Sequence, residues 1–272
     1  MVIPAYAAAL NTKSQRETAL ITGASTGIGL DLARLMAPDF DLIITARNQP
    51  KLEEIAAELH GKHGSHVHVI PADLTRPEAP RAIFDEATRR GLRVDALINN
   101  AGFGAYGEFK DIPLATQLEM IQVNVTALTH LTRLFLPAML ERKRGRIMNV
   151  ASTAGFQPGP LMAVYYATKA YVVSFSEAIA NELKGSGVTV TCLAPGATAT
   201  EFAARADMEN SRLLKLGRMK SIDVAKAGYQ GMMKGKTLVI PGVKNWVMAQ
   251  SVRLGPRKLV TAIARSVQER AD

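Results

Sequence analysis

A chain of 272 residues with 47% apolar content can bury one large core, and the absence of repeats, linkers or low-complexity tracts predicts a single domain. No apolar run reaches the ~18 residues of a membrane span, and residues 1–15 lack the basic start of a secretory signal, so they read as an N-terminal arm. The lone cysteine, Cys192, lies inside an apolar run, forms no intrachain disulfide and fits a cytoplasmic protein.

Residues 18–22 (ThrAlaLeuIleThr) are a short β-rich run feeding directly into GlyAlaSerThrGlyIleGly at 23–29 and then an amphipathic segment. Strand, glycine turn and helix is the setting in which a glycine cluster means a dinucleotide. Gly23, Gly27 and Gly29 permit a tight turn, with Ser25, Thr26 and Ile28 in the same loop. A pyrophosphate could then approach the backbone at a helix N-terminus, where free N–H groups favour anions. The second strand, 41–46, ends in Arg47 and not in the acidic residue that would accept from a ribose 2′-OH. A guanidinium pairs with a 2′-phosphate, so the expected cofactor is NADP(H).

A helix from Pro50 to about His60 and a strand at 66–70 lead to Asp73 and Leu74, placed to receive the adenine amino group and to pack near its ring. His60, His63, His66 and His68 are spread over helix end, loop and strand without a nearby cysteine, so no metal is expected. A fourth strand (94–98) ends in Asn99, Asn100, Ala101 and Gly102, small and amide residues suited to passing under a cofactor and holding the neighbouring strand edge. Pro113 opens a long helical region to about Lys143 that contains Asn124, an amide among apolar neighbours that either satisfies a kink or holds a water.

The fifth strand (146–150) brings Ser152, and a helix from about Ala163 brings Tyr165 and Lys169. Four residues apart on a helix, Tyr165 and Lys169 share a face. An ammonium beside a phenol favours its anion, which makes the pair a usable acid and base near neutrality. The Ser152 hydroxyl can hydrogen-bond the same oxygen that Tyr165 protonates. A sixth strand (188–194) closes in ProGlyAlaThrAlaThr, and a seventh spans 236–240. The alternation predicts an α/β fold: a Rossmann-type, doubly wound parallel sheet of about seven strands with helices on both faces and ligands at the C-terminal strand ends.

Over about residues 17–200 the set ThrGlyAlaSerThrGlyIleGly, AspLeu (73–74), AsnAsnAlaGly (99–102), Asn124, Ser152, TyrTyrAlaThrLys (165–169) and ProGlyAlaThrAlaThr (195–200) resembles the single-domain branch of the short-chain dehydrogenase/reductase family, in order and spacing. The resemblance implies Tyr165 as general acid/base, the first of two tyrosines because only it stands four before Lys169. It implies that Lys169 lowers the Tyr165 pKa and binds the nicotinamide ribose, that Ser152 orients the substrate oxygen, and that Asn124 holds a water linking Lys169 to solvent. Pro195, Gly196 and Thr198 would lie by the nicotinamide amide and Thr200 by a phosphate or the amide. The resemblance further implies a homodimer or homotetramer, paired through helices at 125–142 and 165–183 with Leu128, Leu131, Leu134, Phe135, Val172, Val173, Phe175 and Ile179 in excess. The expected activity is reduction of a ketone or aldehyde to an alcohol, or its reverse. A second reading is an NADP-binding sensor or scaffold without catalysis, against which the intact Ser152, Tyr165 and Lys169 argue.

Charge divides the chain. Residues 1–209 carry 20 Lys+Arg against 21 Asp+Glu, and residues 210–272 carry 13 against 3. Within the expected catalytic domain (16–243), the segment 201–220 mixes Phe202, Met208, Leu213, Leu214, Leu216 and Met219 with basic residues and reads as a lid over an apolar substrate. Residues 244–272 form a basic amphipathic extension of the same domain, split by Pro256. The extension is expected to pack on the rim or at a subunit interface, to admit a greasy substrate with an anionic group, or to touch an anionic membrane. Nucleic acid is not expected, because no aromatic stacking platform accompanies the charge.

Overall fold

The computed structural model describes residues 16–208, 211–212 and 217–269, so the N-terminal arm, Leu213, Leu214, Leu216 and Arg270 lie outside the described residues. Six strands alternate with helices: β1 (Glu17–Thr22), β2 (Phe40–Thr45), β3 (Val67–Val69), β4 (Ala96–Asn99), β5 (Gly145–Val150) and β6 (Val188–Leu193). With the short Leu238–Val239 strand they make one seven-stranded parallel sheet in the order β3-β2-β1-β4-β5-β6 followed by Leu238–Val239. Strand order reverses between β1 and β4, the switch point beside which ligands bind in such sheets.

The strands are apolar runs because both of their faces are covered. On one face, Leu32 and Met36 of α1 (Gly27–Met36), Leu52, Ile55 and Leu59 of α2 (Gln49–His63) and Val224 and Met232 of the Ser221–Met233 helix pack on Ile21, Leu42 and Ile98. On the other, Ile83 of α3 (Ala79–Arg89) and Leu131, Phe135 and Met139 of α5 (Leu128–Glu141) meet Leu20, Ile43 and Ile147. Each such side chain, fully buried, contributes roughly 1.5–3 kcal/mol. Among the described residues no helix is long and apolar enough to cross a membrane.

Local chemistry sets the ends of the elements. The Asn48 side chain accepts from Lys51 N at 3.0 Å and caps α2, which stops at Gly64 in the left-handed conformation (φ 64°). The fourth strand starts at Ala96, two residues later than expected, although the Asp95 main chain still donates to Thr18 O (2.8 Å) and accepts from Arg146 N (2.9 Å), while its buried side chain accepts from the Thr18 N–H (3.0 Å) and pairs with Arg93 (2.9 Å). Sequence reading gave no element to 79–89; the helix there is short and buries only Ala79, Pro80, Ile83 and Ala87.

The long helical region is α4 (Leu114–Ile121) and α5, joined through a wider π-helical segment at Gln122–Ala127 that contains Asn124. The apolar residues named for assembly mostly serve the protomer. Leu128, Leu131, Phe135, Val172 and Val173 are buried in its own core, and Leu134, Phe175 and Ile179 are partly buried there. The exposed apolar side chains on this side are Leu114, Leu118, Ile121, Leu140 and Tyr171.

Candidate active site

The C-terminal ends of the strands open into one cavity of about 1130 Å³. Its floor is built from the turns after β1, β4, β5 and β6. Thr22, the last residue of β1, accepts from Asn100 N (3.0 Å) and Ala101 N (2.9 Å), and Asn100 Nδ2 donates back to Thr22 O (2.8 Å) and Gly23 O (3.2 Å). The β4 end is thereby locked to the glycine loop. Gly23 (φ 66°) and Gly27 (φ 56°) sit in the left-handed region that glycine adopts without strain. A Cβ on Gly29 would lie 2.3 Å from Gly23 O and 2.4 Å from Asn100 Nδ2, so no side chain fits between loop and strand.

Of the residues singled out from sequence, Gly23, Ser25, Thr26, Gly27, Ile28, Arg47, Asp73, Leu74, Asn100, Ala101, Gly102, Ser152, Tyr165, Lys169, Pro195, Gly196, Thr198 and Thr200 line this cavity. Gly29 and Asn124 stand behind its wall. Arg47 lies exposed at the far end of the groove, without an ion-pair partner among the described residues. Asp73 Oδ1 accepts from Thr75 N at 3.1 Å. Thr200 Oγ1 caps Phe202 N at 3.2 Å, and Thr198 Oγ1 donates to Gly196 O at 2.9 Å.

At the centre, α6 (Ala163–Glu182) presents Tyr165 and Lys169, both buried. Lys169 Nζ donates to Val150 O at 2.8 Å and lies 5.7 Å from the centroid of the Tyr165 ring. Ser152 accepts from Ala154 N (3.1 Å), which fixes its backbone at the head of a 3₁₀ turn while its hydroxyl is within hydrogen-bonding reach of Tyr165. Burial pushes the Tyr165 phenol up, and the Ser152 hydrogen bond partly opposes this. Burial also holds the Lys169 ammonium down at about 8.

The Asn124 side chain is hydrogen-bonded to protein at both of its polar atoms. Its amide donates to Phe103 O (2.9 Å) and Thr168 Oγ1 (3.0 Å), and its Oδ1 accepts from Phe103 N (3.1 Å). The side chain therefore clamps the segment after β4 to α6.

Sequence reasoning expected the C-terminal extension at the rim but did not single out the residues that roof the cavity. The helices Val243–Ser251 and Arg257–Gln268 lay Met248, Val252, Leu259, Val260, Ile263 and Val267 over the cavity, opposite Met162, Phe202 and Met208. Their far end is tied down. Gln268, buried, donates to Tyr166 Oη, and Tyr106 Oη donates to Gln268 O at 2.9 Å. At the near end, Asn245 packs against Gly196, where a Cβ would come within 2.5 Å of Asn245 Oδ1. The signal in the sequence was the apolar stripe of 259, 260, 263, 264 and 267, of which Ala264 is buried while Leu259 and Ile263 remain exposed at the cavity edge.

The residues fit a dinucleotide: a glycine loop that excludes any Cβ, a helix start with no acidic residue in its first turn, and a guanidinium at the groove's far end. The family model for short chain dehydrogenases matches residues 17–211. A very-long-chain 3-oxoacyl-CoA reductase from Bos taurus is 36% identical over 194 residues, 69% of this chain and 61% of the bovine protein. The chain thus aligns with less than two thirds of that relative's length. Among solved structures, a short-chain dehydrogenase from Sphingobium yanoikuyae in complex with NADPH superimposes with a TM-score of 0.79 at 34% identity, covering 88% of this chain and 94% of the other. The bulky-bulky ketone specific alcohol dehydrogenase from Comamonas testosteroni gives 0.75 at 28% identity, covering 89% and 94%. Motifs, sheet order and these likenesses agree: the chain belongs to the short-chain dehydrogenase family.

Proposed function

We propose that the chain is an NADP(H)-dependent oxidoreductase that interconverts a carbonyl and an alcohol on an apolar substrate. The observation that carries this reading is the placement of Ser152, Tyr165 and Lys169 in one cavity, between a polar groove ending at Arg47 and an apolar chamber under the C-terminal helices. The NADPH complex of the Sphingobium yanoikuyae protein and the ketone named for the Comamonas testosteroni protein support the same reading.

The bound nicotinamide would supply the hydride; the chain supplies orientation and proton handling. Gly23, Ser25, Thr26, Gly27 and Ile28 would hold the pyrophosphate, Arg47 the 2′-phosphate, Asp73 and Leu74 the adenine, and Asn100 to Gly102 the ribose side. Pro195, Gly196, Thr198 and Thr200 would border the nicotinamide. Ser152 and Tyr165 would both hydrogen-bond the carbonyl oxygen, and Tyr165 Oη would give that oxygen its proton as the carbonyl carbon is reduced. In the reverse direction the phenolate takes the proton from the alcohol. For this the charge of Lys169 must outweigh the burial that pushes the phenol up. Asn124 would keep Phe103 and α6 in register beneath the ribose. The segment 201–220 would close over the substrate, and assembly into a dimer or tetramer would use the exposed Leu114, Leu118, Ile121 and Tyr171.

A screen of ketones and aldehydes for NADPH consumption, repeated with Tyr165→Phe, tests the proposal. Loss of the acid should slow turnover by about 10²-fold or more, and undiminished turnover would refute the assignment. For the cofactor, Arg47→Asp should weaken NADPH binding and leave NADH binding nearly unchanged. A native protein that prefers NADH would overturn the NADP(H) reading.

A further inference from the structure

The basic excess of the C-terminal region has a specific disposition. Several cations elsewhere are paired, Arg34 with Glu58, Arg81 with Asp85 and Arg89 with Glu86, and on the C-terminal helix Arg265 is paired with Glu108 and Glu269. Residues 243–268 contain no Asp or Glu. Lys244, Arg253, Arg257 and Lys258 accordingly have no ion-pair partner among the described residues.

Between them stand apolar side chains that no part of the described chain covers. Leu254 is 89% exposed and Trp246 53%, with Val247 beside them. Val243, Leu259 and Ile263 are exposed and also line the cavity, so they stand at its mouth, and the cavity opens through the patch.

We infer that this face is a docking surface for an anionic lipid bilayer. Unpaired cations amid protruding Trp and Leu match a headgroup layer with acyl chains beneath it. The charge pattern disfavours a second copy of the chain, because a two-fold contact would bring like charges together with no carboxylate within residues 243–268 to answer them. Short helices on either side of Gly255–Pro256 lay their side chains on the bilayer without spanning it. Because the cavity opens through the patch, an apolar carbonyl compound can pass from acyl chains to Tyr165 without crossing water. This last step rests on the reductase reading; the docking itself does not.

The test uses the full chain with phosphatidylcholine vesicles, with and without phosphatidylserine. Trp246, the sole tryptophan, reports insertion. The inference expects co-sedimentation and a blue-shifted Trp246 emission with the anionic vesicles, both reversed by high salt. Each cation near the surface should add about fivefold to partition, so Arg257→Glu with Lys258→Glu should lower it by well over tenfold. Leu254→Glu should also weaken partition, while turnover of a water-soluble ketone without vesicles stays at the native level. Equal partition to both vesicle types, or an unchanged Trp246 emission, overturns the inference. So does a change of molecular mass with Leu254→Glu in light scattering, which would place a second copy on the patch. Vesicle binding by a chain that reduces no ketone would support the surface and count against the reductase reading instead.

Discussion

Floor and roof of the cavity are held in different ways. On the floor, main-chain groups and small side chains fix each other: Asn100 is bonded to Thr22 and Gly23, Lys169 to the Val150 carbonyl, and Gly29 has no room for even a methyl. On the roof, side chains lie on side chains, and the tail is secured at Gln268, bonded to Tyr166 and Tyr106, and by Asn245 packed on Gly196. A floor of this kind holds a reacting geometry to fractions of an ångström, as chemistry requires. A roof of this kind accepts substitution, and so it can set which substrates enter without disturbing the reaction.

A methyl placed in the floor should have the largest effect. Gly29→Ala should all but abolish NADPH binding, since relieving a 2.3 Å approach to Gly23 O moves the loop that would hold the pyrophosphate. Overpacking of this sort also costs about 1–3 kcal/mol of stability. Isothermal titration and thermal melts would read both effects, and native affinity for NADPH would contradict the role given to the loop.

A second change separates chemistry from stability. The Lys169 pKa is depressed to about 8 from its ordinary 10.5, so below about pH 8 the fold carries a buried ammonium that the unfolded chain solvates freely. Between about pH 8 and 10.5 the unfolded chain binds more protons than the native one, and stability rises with pH across that window. Lys169→Met should therefore raise stability by about 2 kcal/mol at pH 7. The gain should shrink toward pH 10.5, while alcohol oxidation by the variant is severely impaired and demands higher pH. Melting curves from pH 6 to 10 that show no gain at neutral pH would mean that the bond to Val150 O outweighs the burial cost.

The floor was legible in the sequence because its motifs place particular residue types at fixed spacing. Only glycine suits positions 23, 27 and 29, and a four-residue step puts Tyr165 and Lys169 on one helical face. The strands were legible too, as apolar runs covered on both sides. Asn124 was recognised as unusual, yet its bonds to Phe103 and Thr168 depend on a π-helical segment that no local pattern announces. The polar chain from Thr132 through Asn99 and Asn149 to Ser176 went unseen, because it joins residues up to 50 positions apart. The roof was legible only as an extension at the rim, for a related reason. An apolar stripe reports burial, and whether core, partner or cavity lies beneath it is decided by the tertiary path of the chain. Leu128, Leu131 and Val172 erred the opposite way, read for assembly but spent on the protomer's own core.

In the proposed oxidoreductase the floor would perform the reaction and the roof would select the substrate, a division read out by kcat/KM for one small water-soluble ketone and one bulky apolar ketone with two variants. Tyr165→Phe should lower both values by a similar large factor. Val260→Phe, which fills the chamber from the roof, should lower the bulky ketone's value by about tenfold or more and leave the small ketone's within about twofold of native. A roof variant that depresses both ketones equally, or a Tyr165→Phe loss confined to one of them, would contradict the division between floor and roof.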